Sequence, residues 1–264
     1  MKISVRAYAN LIYICARFFS VYTIMKKIFC MAAMVLCLGI AATSCKKDNV
    51  ETPAEIEDLG GGIYKINGAR FVDLGLPSGL LWAECNVGAS SDTEIGGSYA
   101  WGETEVKEKY TKDNYKYGAD ESDYSKYCEK DGKKVLEAAD DAATAALGAP
   151  CRTPLFDEFY ELINGDYTTR EWTSKTANGK TVYGYEVKSK TNSNSIFFPA
   201  LRHADTSDPT GEYWCADLYV SSYGVLYYEL AGHRLFRYAA GDNGWGSNSR
   251  WCSAEIRPVA KISK

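Results

Sequence analysis

From Ile28 to Ala42 the chain carries no charge, and the run is framed by Met25-Lys26-Lys27 before it and Ala42-Thr43-Ser44-Cys45 at its end. A short basic segment, an apolar stretch and small residues ahead of a cut form the layout of an export signal. No other feature constrains the fold as much. It assigns residues 1–44 to targeting and leaves roughly 200 residues to fold, enough for one domain. A transmembrane helix is the competing reading. The uncharged run is shorter than the ~20 residues a span needs, although residues 11–24 could lengthen it. Arg6 and Arg17 interrupt the apolar segment upstream of this already complete signal, so Met25 is the expected true start.

The cysteine directly after the small residues resembles a lipobox, and Ser44-Cys45-Lys46-Lys47-Asp48 is similar to the corresponding stretch of Bacteroidetes lipoproteins. Ala42 stands where that pattern usually has Leu. The resemblance implies that Cys45 becomes the mature N-terminus and carries fatty acyl chains such as palmitate. Each buried methylene contributes about 0.8 kcal/mol, and two or more chains make the attachment stable. The expected location is the cell envelope, as an outer-membrane lipoprotein facing the periplasm or the surface. Residues 45–62 hold charges, one proline and the Gly60-Gly61-Gly62 triplet without apolar periodicity. They read as a lipidated, solvated tether, with the domain itself at 63–264.

Net charge is −4 and the pI about 5.4. A nucleic-acid partner is not expected, because phosphate contacts need a basic face. A domain of this size buries about 70% of its unfolded surface and folds without a staple.

Asn67-Gly68 is a hairpin turn signal between Ile63–Ile66 and Arg70–Asp73, and Leu80–Cys85 reads as a buried strand. Residues 105–135 are polar and tyrosine-rich without a period, and are expected to form a long surface excursion. Two helices follow. One opens at Asp140-Asp141 and stops at Gly148. The other starts with Thr153 as N-cap and Pro154 in the first turn, and gathers Leu155, Phe159, Leu162 and Ile163 on one face. From Val182 onward the pattern is again β, with runs at 183–188, 195–199, 212–220, 225–230 and 250–259. Two short helices among many short strands give an α+β domain.

Seven stretches in order, at 72–89, 99–104, 140–143, 151–163, 183–200, 213–216 and 255–259, resemble the Fibrobacter succinogenes major paralogous domain family over residues 70 to 260. The resemblance implies a C-type-lectin-like fold with two short helices, small twisted antiparallel sheets and long loops. Cys151, Thr153 and the Trp214-Cys215-Ala216 segment depart from the family pattern, as does Cys252. Because the family fold brings the strands of Cys215 and Cys252 together, the resemblance implies a Cys215–Cys252 disulfide. Cys151 with Cys85 is a second candidate, which leaves Cys128 over. The alternative is five free, mostly buried thiols.

No catalytic constellation, metal site or cofactor motif is expected. The two histidines, His203 and His233, lack a nucleophile elbow or zinc-ligand spacing around them. The calcium-binding motifs of related lectins are absent from the sequence. Residues 238–251 are Gly-rich, polar and aromatic, a composition that suits recognition. Tyr238, Asn243, Trp245, Asn248 and Arg250 are the candidate contact residues, with a glycan or protein as ligand. The alternative is that Trp245 pins a long loop and contacts nothing outside the chain. At the level of the whole protein, the competing reading is a structural, fimbria-like envelope component. An enzyme is the third choice.

Overall fold

The hairpin signal at Asn67-Gly68 closes a two-residue turn in which both residues take positive φ, 48° and 87°. This backbone matches the twist of the strands it joins, and Asn and Gly adopt it at low steric cost. It connects β2 (Ile63–Ile66) to β3 (Ala69–Asp73). The computed structural model describes residues 53–202, 209–237 and 245–262. The leader, Cys45 and His203 lie outside the described residues.

The domain opens earlier than the sequence pattern indicates. β1 (Ile56–Gly60) pairs antiparallel with β2, and the glycine triplet assigned to the tether is the turn between them. Every residue of β1 is exposed. An edge strand held by backbone hydrogen bonds alone leaves no apolar alternation to read.

β4 (Leu81–Ala83) completes the antiparallel run, and β14 (Val259–Ala260) pairs with β4, so the first and last strands share a sheet in the order β1-β2-β3-β4-β14. A second sheet follows the order β12-β11-β10-β13-β5. It comprises β5 (Ser98–Ala100), β10 (Pro209–Val220), β11 (Leu226–Arg237), β12 (Trp245–Ser249) and β13 (Ser253–Glu255), with β9 (Leu201–Arg202) on the edge of β10. β10 and β13 run parallel; the other pairs are antiparallel. The third sheet is β6 (Thr168–Ala177), β7 (Lys180–Ser189) and β8 (Ser195–Pro199). With α1 (Ala142–Leu147) and α2 (Phe156–Ile163), the described residues form an α+β domain of mostly antiparallel sheets and few helices.

Both helices start on carboxylates: α1 on Asp141, as the sequence pattern indicates, and α2 without the expected Thr153 cap. Asp141 caps α1 through the Ala143 N–H, 2.9 Å away. The same carboxylate accepts from the Thr153 N–H and hydroxyl at 2.8 and 2.6 Å. Thr153 is therefore a buried partner of Asp141 rather than the cap of α2. The start of α2 is served by Glu158, which accepts the Leu155 N–H, and by Asp217 of β10, which accepts the Phe156 N–H at 2.9 Å. A cap supplied from 61 residues away leaves no local signature.

The inner face of α2 places Phe159, Leu162 and Ile163 against Trp82, Val187, Ile196, Phe198 and Tyr213. Trp82 is fully buried between Phe159 and Phe198. Two indoles lock the second sheet: Trp101 donates to the Cys215 carbonyl at 2.9 Å, and Trp214 donates to the Tyr99 carbonyl at 2.7 Å.

The tyrosine-rich excursion at 105–135 runs over the surface as expected, but it is anchored inward by its tyrosines. Tyr115, Tyr117, Tyr124 and Tyr127 are buried, and together with Trp101 they surround the guanidinium of Arg250 at 4.3 to 5.9 Å from the ring centroids. Arg250 is 0% exposed. It donates to the Tyr115 hydroxyl and to the carbonyls of Lys126, Tyr127 and Tyr228 at 3.0 to 3.1 Å. Asp140, itself buried, pins the same excursion. Burial alone would push its carboxyl up, but hydrogen bonds from Lys126, Lys116 and Tyr127 hold it well below the usual carboxylate range.

Replacing Arg250 with Met removes these bonds and leaves buried carbonyls without donors. Each such group costs about 1–3 kcal/mol, so the expected loss is on the order of 3–5 kcal/mol. Urea unfolding should show a lower midpoint with an unchanged slope. Amide exchange should rise first in residues 110–128.

Candidate functional site

The far end of the second sheet carries the residues that composition marks for recognition, and the structure separates them. Tyr238 and Asn243 lie outside the described residues. Trp245 opens β12 with its backbone opposite Arg234 of β11, and its side chain is likewise outside the description. Asn248 sits within β12 opposite Ala231, half-buried, with its Oδ1 accepting the Ser249 N–H at 2.9 Å. Arg250 is removed from the candidate contacts: its guanidinium is spent inside the aromatic cage and reaches no surface. His233 belongs to β11, opposite Trp214 and Gly246.

Sequence reading missed the tip of the β10–β11 hairpin. Val220, Tyr223 and Val225 are exposed there, Tyr223 at 92%. Behind them Tyr219 and Tyr227 face each other across the strands, with centroids 5.9 Å apart. The Ser221-Ser222-Tyr223-Gly224 turn was the available signal; Gly224 takes φ of 77°.

The disulfides implied by the family resemblance are not formed. Cys85, Cys128, Cys151, Cys215 and Cys252 are all free thiols. Along β10, Tyr213 and Cys215 point into the cluster with Phe159 and Leu162, while Trp214 points the other way. Cys252 lies in the turn after β12 and is half-buried. Cys151 is buried in a cluster with Ile66, Phe71 and Leu81. The mass of the unfolded, alkylated protein should therefore be the same with and without prior reductant.

Two depressions open elsewhere on the domain. One, of about 510 Å³, lies between the Asn67-Gly68 turn, the Arg70–Glu84 ion pair and the end of α1, with Cys85 in its wall. Burial raises the Cys85 pKa, although the nearby Arg257 opposes this. The thiol is thus protonated near neutral pH and a poor nucleophile. The other, of about 490 Å³, lies at the end of the β6–β7 pair. Among the described residues no group of three His, Cys, Asp or Glu side chains is placed to hold a metal ion, and no helix is long and apolar enough to cross a membrane.

Comparison with known proteins adds no assignment: no family model, no curated protein and no solved structure matches the chain.

Glu255 of β13 is a buried acid beside β10, opposite Tyr213. It accepts from the Ser98 hydroxyl at 3.2 Å and the Glu212 N–H at 3.3 Å. Burial pushes its pKa up to about 7 from an ordinary 4.5. Below pH 4.5 both folded and unfolded chains hold the proton. Between 4.5 and 7 only the folded chain does, so stability falls as pH rises through that window and levels off above it. The Glu255→Gln variant should match the wild type at pH 4 and melt at higher temperature at pH 8, by an amount on the order of 3 kcal/mol.

Proposed function

We propose that this chain is an exported, lipid-anchored protein of the cell envelope. Its domain would be a Fibrobacter succinogenes major paralogous module of C-type-lectin-like fold that binds glycan or protein through the loops of its second sheet. The observation that carries the binding reading is the rigid sheet beneath those loops. Arg250, the first residue after β12, is fixed by four hydrogen bonds, and β10 and β11 extend for 12 residues each to the exposed Tyr223 turn. Variable polar and aromatic loops on a rigid scaffold are the usual way a small domain presents a recognition surface. β11 ends at Arg237, at the opposite end of the hairpin from that turn, and the chain passes there into the Gly-rich segment 238–251.

One observation favours the competing structural role. β1 is the fully exposed terminal strand of the first sheet, directly after the tether, and an open edge can accept a strand from another chain. Cross-linking on intact cells separates the two readings. A packing component yields ladders of this chain, and a binding protein yields a discrete partner.

The anchor is tested by growth with labelled palmitate. Label should enter the wild type and be lost in the Cys45→Ala variant; a wild type that stays unlabelled overturns the anchor. Binding is tested on a glycan array and by partner capture with Trp245→Ala and Tyr223→Ala. Trp245 and Tyr223 stand toward opposite ends of the β10–β11 hairpin, so at least a tenfold loss is expected for the variant at the end that binds, since aromatic anchors contribute about 2 kcal/mol or more. Unchanged binding by both removes the loops of the second sheet from the recognition surface.

A further inference from the structure

The depression beside the Asn67-Gly68 turn shares no residue with β10, β11 or β12 and has its own chemistry. Its charged wall follows from the register of the first sheet. Phe71 stands opposite Ala83 across β3 and β4, so Arg70 and Glu84 meet one step past the end of β4. The Glu84 N–H donates to the Arg70 carbonyl at 2.9 Å, and Arg70 Nε donates to Glu84 Oε2 at 2.8 Å. The surrounding frame is rigid. Buried Arg257 donates to the carbonyls of Ala83 and Glu84 at 3.1 and 2.8 Å and to the Asn86 side chain at 2.7 Å. Asn67 gives its amide protons to the Leu147 and Ala149 carbonyls, at 2.7 and 3.0 Å, and so ties the hairpin turn to the end of α1.

The ion pair leaves each partner with spare capacity. A guanidinium carries five N–H donors, and Arg70 uses only the one on Nε; among the described residues its terminal nitrogens have no partner. Glu84 is engaged through Oε2, and Oε1 likewise has none. Both side chains reach solvent, at 51% and 38% exposure. The rest of the wall is largely apolar: Val87 and Pro258 are buried, and Ala69, Ala89 and Leu147 are half-buried. The volume of about 510 Å³ lies in the range of small-molecule sites.

We infer that this depression binds a free α-amino acid with an aliphatic side chain, its carboxylate on the Arg70 guanidinium, its ammonium on Glu84 and its side chain on the apolar wall. Each part matches one property of such a ligand. The terminal nitrogens of a guanidinium form a fork that fits a carboxylate. The open Glu84 oxygen accepts from an ammonium. Every ligand charge then meets its opposite while the Arg70–Glu84 contact stays in place. A purely anionic ligand brings a second negative charge beside Glu84, and a purely cationic one brings a second positive charge beside Arg70. A charged side chain on the amino acid would lie against the apolar wall without a counter-charge.

The test is calorimetric titration of the full chain in detergent with L-leucine, L-valine, N-acetyl-L-leucine and L-leucinamide. Leucine or valine should bind. N-acetyl-leucine, which lacks the cation, and leucinamide, which lacks the anion, should bind at least tenfold more weakly. Arg70→Gln and Glu84→Gln should each weaken binding of the amino acid at least tenfold with the melting temperature unchanged, since exposed ion pairs contribute little to stability. If either variant melts early, Ala146→Phe, at an exposed position of α1 on the rim, should show the same loss by filling the depression. Half-buried Cys85 lies in the wall, so the bound amino acid should slow its labelling by iodoacetamide, read by mass spectrometry of its peptide, and leave Cys252 labelling unchanged. Failure of both leucine and valine to bind overturns the inference, and so does equal affinity for N-acetyl-leucine or leucinamide. Binding that leaves Cys85 labelling unchanged also sinks this site. The function proposed above is read separately, by Trp245→Ala and Tyr223→Ala, and survives each of these failures.

Discussion

A guanidinium buried away from water is expensive unless its donors meet acceptors and its charge meets a polarisable surface. Arg250 meets both conditions inside a ring of five aromatic side chains, and the structure around it follows from that solution. Its acceptors come from residues 115, 126, 127 and 228. One side chain therefore ties the end of β12 to the long excursion and to β11. Four tyrosines and Trp101 fill the space that a helix or sheet face would fill elsewhere. The excursion is thus ordered without regular structure beyond short 3-10 turns at Lys112–Asn114 and Glu121–Asp123.

Arg257 repeats the arrangement on the other side of the domain. It is 0% exposed and donates to the Asn86 side chain and to the carbonyls of Ala83, Glu84 and Phe197, with Phe198 4.5 Å from its guanidinium carbon. Two sheets that are not hydrogen-bonded to each other, the one containing β4 and the one containing β8, are joined through this residue. In both places an arginine at the centre gathers carbonyls from strands and loops into a core. This geometry also explains why five free thiols suffice: the joints that disulfides supply in smaller extracellular domains are made here by cation and aromatic contacts.

The rigid centre and the open ends divide the molecule by role. The exposed aromatic turn at Tyr223 lies at the tip of the β10–β11 hairpin, where side chains are least used in packing. Toward the other end of β10, Glu212 and Glu255 make the sheet sensitive to pH through a buried carboxyl.

Local chemistry alone determined a good deal. The Asn67-Gly68 hairpin, the strands at 63–73, the stop of α1 at Gly148 and the apolar face of α2 are written in neighbouring residues and appear where that pattern puts them. The α+β class follows from the same signals. Elements supported from a distance were hidden. β1 has no buried side to alternate, β6 is a polar strand with only Trp172 to mark it, and α2 takes its cap from Asp217. Of the candidate contact residues, Arg250 was misassigned because a polar residue in a Gly-rich segment looks solvent-facing. Only the folded chain brings four tyrosines from a stretch without periodicity around it. The sequence could specify where the chain turns. Which side of a strand meets water, and which charge is buried, depended on partners more than a hundred residues away, because burial is a property of packed surfaces rather than of neighbours in the chain.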